Sequence, residues 1–95
     1  MFIITLKFSI NKDQMRQHLD GHKKWLKQGF DDGIFILAGS LQPGLGGGIL
    51  AYGISSDDLE TRLREDPFVQ ESVVTADILE IEASMTDERL DFLRG

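Results

Sequence analysis

The chain predicts an α+β fold in which four strands and two helices follow one another in the order β-α-β-β-α-β. Every second residue from position 2 to position 10 is apolar, which is the period of a strand with one buried face. Residues 11–32 instead place apolar side chains three and four positions apart, which is the period of a helix face. The order of elements is that of the split βαβ, or ferredoxin-like, arrangement, with both helices on one face of a four-stranded antiparallel sheet.

The first strand covers residues 2–10, and its apolar face is formed by Phe2, Ile4, Leu6, Phe8 and Ile10. Asn11 is a suitable N-cap for the first helix, because Gln14 stands three residues later and completes a capping box. The helix extends to about Asp32. Gly33 follows it and favours the left-handed conformation in which helices commonly end.

The second and third strands, residues 34–41 and 49–54, are apolar on both faces. The turn between them, residues 42–48, contains Pro43 and four glycines. Because two helices cover only one face of a sheet, the other face needs a partner, and a large exposed apolar patch is rare on a monomer. We therefore expect a homodimer in which two sheets pack against each other.

The remaining elements are shorter. The serine pair at 55–56 caps a second helix, which Pro67 ends and whose inward residues are Leu59 and Leu63. Residues 73–83 form the last strand. Thr86 is the expected cap of a short C-terminal helix over residues 86–94.

The composition describes one domain, residues 1–95 with its core over residues 2–83, and argues against several classes of partner. The net charge is -6, and the second half, residues 49–95, carries 12 acidic against 4 basic residues. This balance disfavours nucleic acid, whose binding rests on neutralised phosphates. No stretch approaches the roughly 18 apolar residues of a membrane span, and the apolar start is too short for a signal peptide. We expect a cytoplasmic protein with no membrane partner.

His22 is out of place on the first helix. It lies on the apolar stripe formed by Met15, Leu19, Trp25, Leu26 and Phe30. A buried imidazole costs free energy unless it finds a hydrogen-bond partner. The partner of His22 is therefore the first question for function, and a backbone carbonyl in the core is one answer.

Four short motifs together resemble the YCII-related (YciI-like) family. They are His22-Lys-Lys-Trp25-Leu26, Gly39-Ser40 at the end of the second strand, the glycine-rich turn before Gly48, and Asp66-Pro67-Phe68. The resemblance covers about residues 2–83 and implies the ferredoxin-like fold of a dimeric α+β barrel. It also implies an active-site pair at His22 and Asp66. Most members of the family have no known reaction, and one branch eliminates chloride from a chlorinated hydroxyhydroquinone.

The chemistry of a histidine–aspartate pair is that of a general base. A carboxylate bonded to one imidazole nitrogen fixes the tautomer, favours the imidazolium and leaves the other nitrogen facing the pocket. A positioned histidine of this kind contributes about 10²–10⁴-fold to a rate. Asp66 has a structural alternative, because it precedes Pro67 and suits the cap of the turn that Pro67 opens. Both roles are compatible.

Three further residues are candidates for substrate binding: Ser40, His18 and Trp25. Ser40 ends a strand, so bonding to the backbone is its plainer role. His18 and His22 are four residues apart, as in some metal sites, but no third ligand accompanies them and we expect no metal. The glycines at 44–48 lack the lysine of a phosphate-binding loop and suit a hairpin turn or a lid. We expect no cofactor.

The sequence favours an enzyme of lyase or isomerase type, with His22 as general base and Asp66 orienting it. Its ligand is expected to be a small anionic or aromatic molecule. An anionic ligand is favoured by the cations that cluster on the first helix, at Lys12, Arg16, Lys23, Lys24 and Lys27. A solvated helix face is the plainer explanation of this cluster. Two other functions stay open: a non-catalytic module that binds a small ligand or a partner, and, by analogy of fold alone, a haem- or quinone-handling oxygenase.

Overall fold

The computed structural model describes residues 1–94 and confirms the predicted α+β, ferredoxin-like arrangement. Four antiparallel strands form one sheet in the order β2-β3-β1-β4, and the helices pack on one of its faces. The elements are β1 (Phe2–Phe8), α1 (Met15–Asp31), β2 (Phe35–Leu41), β3 (Gly46–Ala51), α2 (Ser56–Arg64), α3 (Pro67–Gln70) and β4 (Val74–Glu80). Two 3₁₀ turns, Lys12–Gln14 and Glu88–Leu93, complete the chain.

Strand β1 lies inside the sheet and shows the predicted alternation. Phe2, Ile4 and Leu6 are buried beneath the helices. The prediction was wrong at Ile10, which is 85% exposed. The strand ends at Phe8 because the chain then turns away, and its next amides bond to the loop before β4 rather than to a strand.

The start of α1 also differs from the prediction. Asn11 makes no side-chain cap, and a 3₁₀ turn separates it from the helix. Its side-chain amide instead donates a hydrogen bond to the carbonyl of Glu71, 2.9 Å away, so the expected capping box with Gln14 is absent. The end is as predicted: α1 stops at Asp31, and Gly33 has the left-handed φ of 73°.

The third strand begins three residues earlier than the sequence indicated and ends at Ala51. Residues 46–48 are paired on both sides, with β1 and with β2, so these glycines belong to the sheet and not to the turn. The turn is left with residues 42–45. Strand β2 has an irregular register between Phe35 and Leu37, which bends its beginning.

The segment after β3 follows the prediction closely. The hydroxyl of Ser55 accepts a hydrogen bond from the amide of Asp58 at 3.1 Å, and it caps α2. Leu59 and Leu63 are buried in the core. Pro67 ends this helix as expected, but it also occupies the first turn of a further helix, α3.

The C-terminal elements are shorter than expected. Strand β4 ends at Glu80, and the predicted helix over 86–94 is a 3₁₀ turn capped by Asp87 and not by Thr86. Leu90 within this turn is 44% exposed, so the turn adds little to the core. Val74 is the last buried residue of the core cluster, and Ala76 and Ile78 of β4 pack against it.

The sheet has a second face, turned away from the helices, that we call the outer face. Cross-strand partners share a face, and the pairings place five large apolar residues there: Ile3, Leu37, Leu41, Leu50 and Leu79. Leu37 and Leu79 are 54% and 63% exposed.

No helix among the described residues is long and apolar enough to cross a bilayer.

Replacing Leu59 by Ala tests the core assignment. Leu59 is fully buried, so its truncation removes apolar contacts and leaves a cavity, and we expect a loss of about 2–5 kcal/mol in the free energy of unfolding. Urea denaturation measures it. The control Leu90→Ala is expected to change that free energy by less than about 0.5 kcal/mol. Equal losses in the two variants would contradict this description of the core.

Candidate functional site

A cavity of about 340 Å³ opens between the sheet and α1. Its walls are mostly apolar and include Leu6, Leu19, Leu26, Ile49 and Phe68. The polar side chains that line it are His22 and Lys23 from α1 and Ser40 from β2. Such a cavity, apolar with a few polar groups, is the usual form of a small-molecule site.

His22 reaches the cavity from the middle of α1. Its side chain is 12% exposed, and its Nδ1 lies 2.8 Å from Oδ1 of Asp66. The two residues are 44 positions apart in sequence, and the predicted contact between them is direct. The partner of Nδ1 is therefore a side-chain carboxylate and not a backbone carbonyl of the core, which was the alternative.

Asp66 is fully buried, which is unusual for a carboxylate. Its backbone is extended, as a residue before proline requires, and this places its side chain at the N-terminus of α3. Oδ1 accepts a second hydrogen bond, at 3.0 Å, from the amide of Phe68. The helix-cap role and the contact with His22 therefore coexist on a single oxygen. Oδ2 is buried and has no partner among residues 1–94.

Aromatic rings hold the imidazole from its faces. The ring of Phe68 is parallel to that of His22 within 5°, with centroids 4.0 Å apart. The indole of Trp25 is also stacked with it, at 5.8 Å and 28°. With Nδ1 bound to Asp66 and the ring stacked, Nε2 is the nitrogen available to a ligand, and no residue in the described part of the chain forms a hydrogen bond with it.

Ser40 lies near the end of β2, and it lines the cavity. It pairs with Gly47 of β3, on the sheet face that is turned toward the helices. No hydrogen bond of its hydroxyl is found within residues 1–94, so the expected bond to the backbone is not what holds it. The hydroxyl is free to contact a ligand.

Trp25 and His18, which the sequence offered as substrate-binding candidates, do not line this cavity. Trp25 is buried in the core and donates its indole N–H to the carbonyl of Arg62, 2.9 Å away. At about 100° per residue, positions 18 and 25 lie on one flank of the α1 stripe, toward α2 and α3. The cavity opens at the other flank, which carries Leu19, Lys23 and Leu26.

Three residues of the site were not singled out by the sequence. Phe68 stood in the family motif without a role, Lys23 was one cation among five, and Gly47 was assigned to a turn. Phe68 is signalled by the proline before it, which starts a helix and turns the next ring back toward α1. Over residues 1–94, no three ligand-type side chains gather in a way that suits a metal.

Comparisons with known proteins bear on the fold. No family model and no curated protein matches the chain. Among solved structures, the chain is similar to the 5-chloro-2-hydroxyhydroquinone dehydrochlorinase TftG from Burkholderia phenoliruptrix AC1100, in its complex with 2,5-dihydroxybenzoquinone. The TM-score is 0.68 at 11% identity, over 85% of this chain and 93% of that one. A likeness at this identity establishes the fold alone.

Replacing His22 tests how much its hydrogen bond to the buried Asp66 contributes to stability. His22→Leu leaves a fully buried carboxylate without a side-chain partner, and we expect the free energy of unfolding to fall by about 1–3 kcal/mol at neutral pH. Chemical denaturation measures the loss. Adding Asp66→Asn removes the charge and keeps an oxygen for the Phe68 amide, so the double variant should be more stable than His22→Leu alone. A double variant that is less stable than the single one would show that the pair is not coupled in this way.

Proposed function

We propose that the chain is a small-molecule enzyme of lyase or isomerase type, in which Nε2 of His22 removes a proton from a ligand in the cavity. One observation carries the proposal: an imidazole that lines the cavity is bonded at Nδ1 to a fully buried carboxylate and stacked on an aromatic ring. Burying Asp66 for packing alone is costly, since a carboxylate is rarely buried without a charged or polar partner. A base that must keep one orientation explains the arrangement.

The proposed chemistry follows from the two nitrogens. Asp66 accepts the Nδ1 proton, so the neutral ring carries its lone pair on Nε2. When Nε2 takes a proton from the ligand, the new imidazolium lies against the carboxylate, which stabilises it. In an elimination the leaving group then departs with its electron pair. In an isomerisation His22 returns the proton to a different atom of the ligand.

The lining of the cavity favours a flat and anionic ligand. Its apolar walls suit a ring or an enol, Lys23 places a cation at the cavity, and Ser40 offers a hydroxyl. The similar solved structure holds 2,5-dihydroxybenzoquinone, a flat and acidic ring. The sequence motifs and this likeness of fold together support membership of the YCII-related family, which we include in the proposal.

The histidines allow a matched test, because the chain contains two. The probes are 5-chloro-2-hydroxyhydroquinone, with chloride release as the readout, and 2,5-dihydroxybenzoquinone, with calorimetric binding as the readout. His22→Gln keeps a donor for Asp66 but is a poor base, and we expect it to lower chloride release by about 10²–10⁴-fold. His18→Gln, outside the cavity, should release chloride as the parent protein does.

Two outcomes of this experiment would change the proposal. Chloride release that survives His22→Gln would contradict the general-base role. Quinone binding that depends on His22 without turnover of the chlorinated probe would favour the non-catalytic binding module. Lys23→Met is expected to weaken quinone binding several-fold more than Lys24→Met, because Lys23 lines the cavity and Lys24 is exposed elsewhere on α1.

We further propose that the working form is a homodimer joined through the outer face. Two exposed leucines, Leu37 on β2 and Leu79 on β4, lie on that face with half-buried apolar residues of β1, β2 and β3. A contiguous apolar sheet surface is rare on a monomer. A second copy offers the same apolar surface and packs on it about a twofold axis.

The oligomeric state is measured by light scattering. We expect a particle of twice the 10.7 kDa chain mass at micromolar concentration. Leu37→Glu puts a charge into the proposed interface and should return the mass of a single chain. Ile10→Glu, at a loop position that is 85% exposed, is the control and should leave the mass doubled. A parent protein with the mass of one chain would exclude the dimer.

A further inference from the structure

Strand β3 contains three consecutive glycines, Gly46, Gly47 and Gly48, in the interior of the sheet. Glycine weakens a strand interior, because it has no side chain to pack and loses more conformational freedom on folding. Glycine in such a place often marks a point where a ligand or another backbone comes close. Each of the three therefore needs a physical reason.

Two of the glycines are explained by their immediate surroundings. Gly46 has a φ of 133°, and a Cβ there would collide with the carbonyl oxygen of Leu6. A Cβ at Gly48 would lie 3.3 Å from a methyl carbon of Leu41, which is a tight contact. Backbone geometry and packing thus account for both residues.

Gly47 has no such explanation. Its φ lies outside the left-handed region, and a Cβ there would meet only the carbonyl oxygen of Gly39, at an ordinary 3.5 Å. It pairs with Leu6 on one side and with Ser40 on the other, so a side chain would project toward the helices. On that side of the sheet, Gly47 lines the same cavity as His22.

We infer that Gly47 is a specificity-determining residue, whose missing side chain keeps the cavity deep enough for a flat ring opposite His22. This inference rests on the proposed function in one respect, that the cavity receives a ligand. Larger residues at position 47 would fill the space above the sheet while the strand itself tolerates them. The expected signature is a loss of access to His22 with no loss of stability.

Access to His22 can be measured without any substrate. Diethyl pyrocarbonate acylates exposed imidazole nitrogens, and peptide mass mapping reports His22 and His18 separately. Because His18 lies outside the cavity, it serves as an internal reference within the same sample. Gly47→Val should slow acylation of His22 several-fold relative to His18, and Gly47→Ala should slow it less.

The matched control is Gly39→Val. Gly39 is also a strand glycine with open space at its Cβ, and its backbone lines the same cavity, but it pairs with Gly48 and its side chain would project from the outer face. This variant should leave the His22 to His18 ratio unchanged. The melting temperature of Gly47→Val should equal or exceed that of the parent protein, since β-branched residues favour strands.

Ligand binding gives the second readout. Gly47→Val should weaken binding of 2,5-dihydroxybenzoquinone by about tenfold or more. The loss of affinity should be smaller for a one-ring probe than for a two-ring probe. If the quinone fails to bind the parent protein while the acylation ratio responds to Gly47→Val, the proposed function is wrong and the role of Gly47 in shaping the cavity stands. An unchanged acylation ratio in a folded Gly47→Val variant, or a His22 that is unreactive in the parent protein, would overturn the inference. If Gly47→Val does not fold, Gly47→Ala carries the same decision, because its Cβ meets only one atom, at 3.5 Å.

Discussion

A single buried oxygen, Oδ1 of Asp66, holds the candidate site together. It accepts hydrogen bonds from the imidazole of His22 and from the amide of Phe68, at 2.8 Å and 3.0 Å. The first bond attaches α1 to the segment before α3, and the second begins α3 itself. Because the ring of Phe68 then stacks on the imidazole, the residues that bind the carboxylate also contact each other. A buried carboxylate is costly without hydrogen-bond partners, and Oδ1 has two of them.

The two sides of the cavity contribute in opposite ways. The helical side supplies fixed chemical groups. The imidazole of His22 is held at its Nδ1 edge by Asp66 and on its face by the ring of Phe68. The sheet side supplies space, because Gly47 carries no side chain and Ser40 carries a small one. A helix can hold a side chain rigidly against a neighbouring segment, whereas a paired strand keeps its backbone in place even where a residue lacks a side chain to pack. The division follows from the way each element is stabilised.

The sheet presents a different surface on each side for the same reason. Alternate residues of one strand point to opposite faces, so each strand contributes both to the cavity wall and to the outer face. Ile49 is buried beneath the helices while its neighbour Leu50 points outward. If the outer face binds a second copy, the strands that form the floor of each cavity also form the dimer interface with their opposite face. Packing across that interface then stabilises the strands that carry Ser40 and Gly47.

Local patterns were enough to predict much of this molecule. The alternation from Phe2 to Phe8, the helical spacing of α1 and the Ser55 cap depend on neighbours in sequence, and the order of elements then allows few topologies. The contact between His22 and Asp66 was predicted because His22 is a polar residue on an apolar stripe and Asp66 precedes a proline in a motif that resembles a family pattern. Element ends were less well predicted, since the true limits of β1 and β3 depend on which strands lie beside them.

The tertiary structure alone decided which side chains share the cavity. Trp25 and His18 lie on the same stripe as His22, yet the stripe is wide, and only the position of α2 and α3 determines which flank is core and which is cavity. The parallel stack of Phe68 on His22 and the open space above Gly47 involve residues far apart in sequence. Their relation depends on the path of the chain between them, which no local pattern of residues contains.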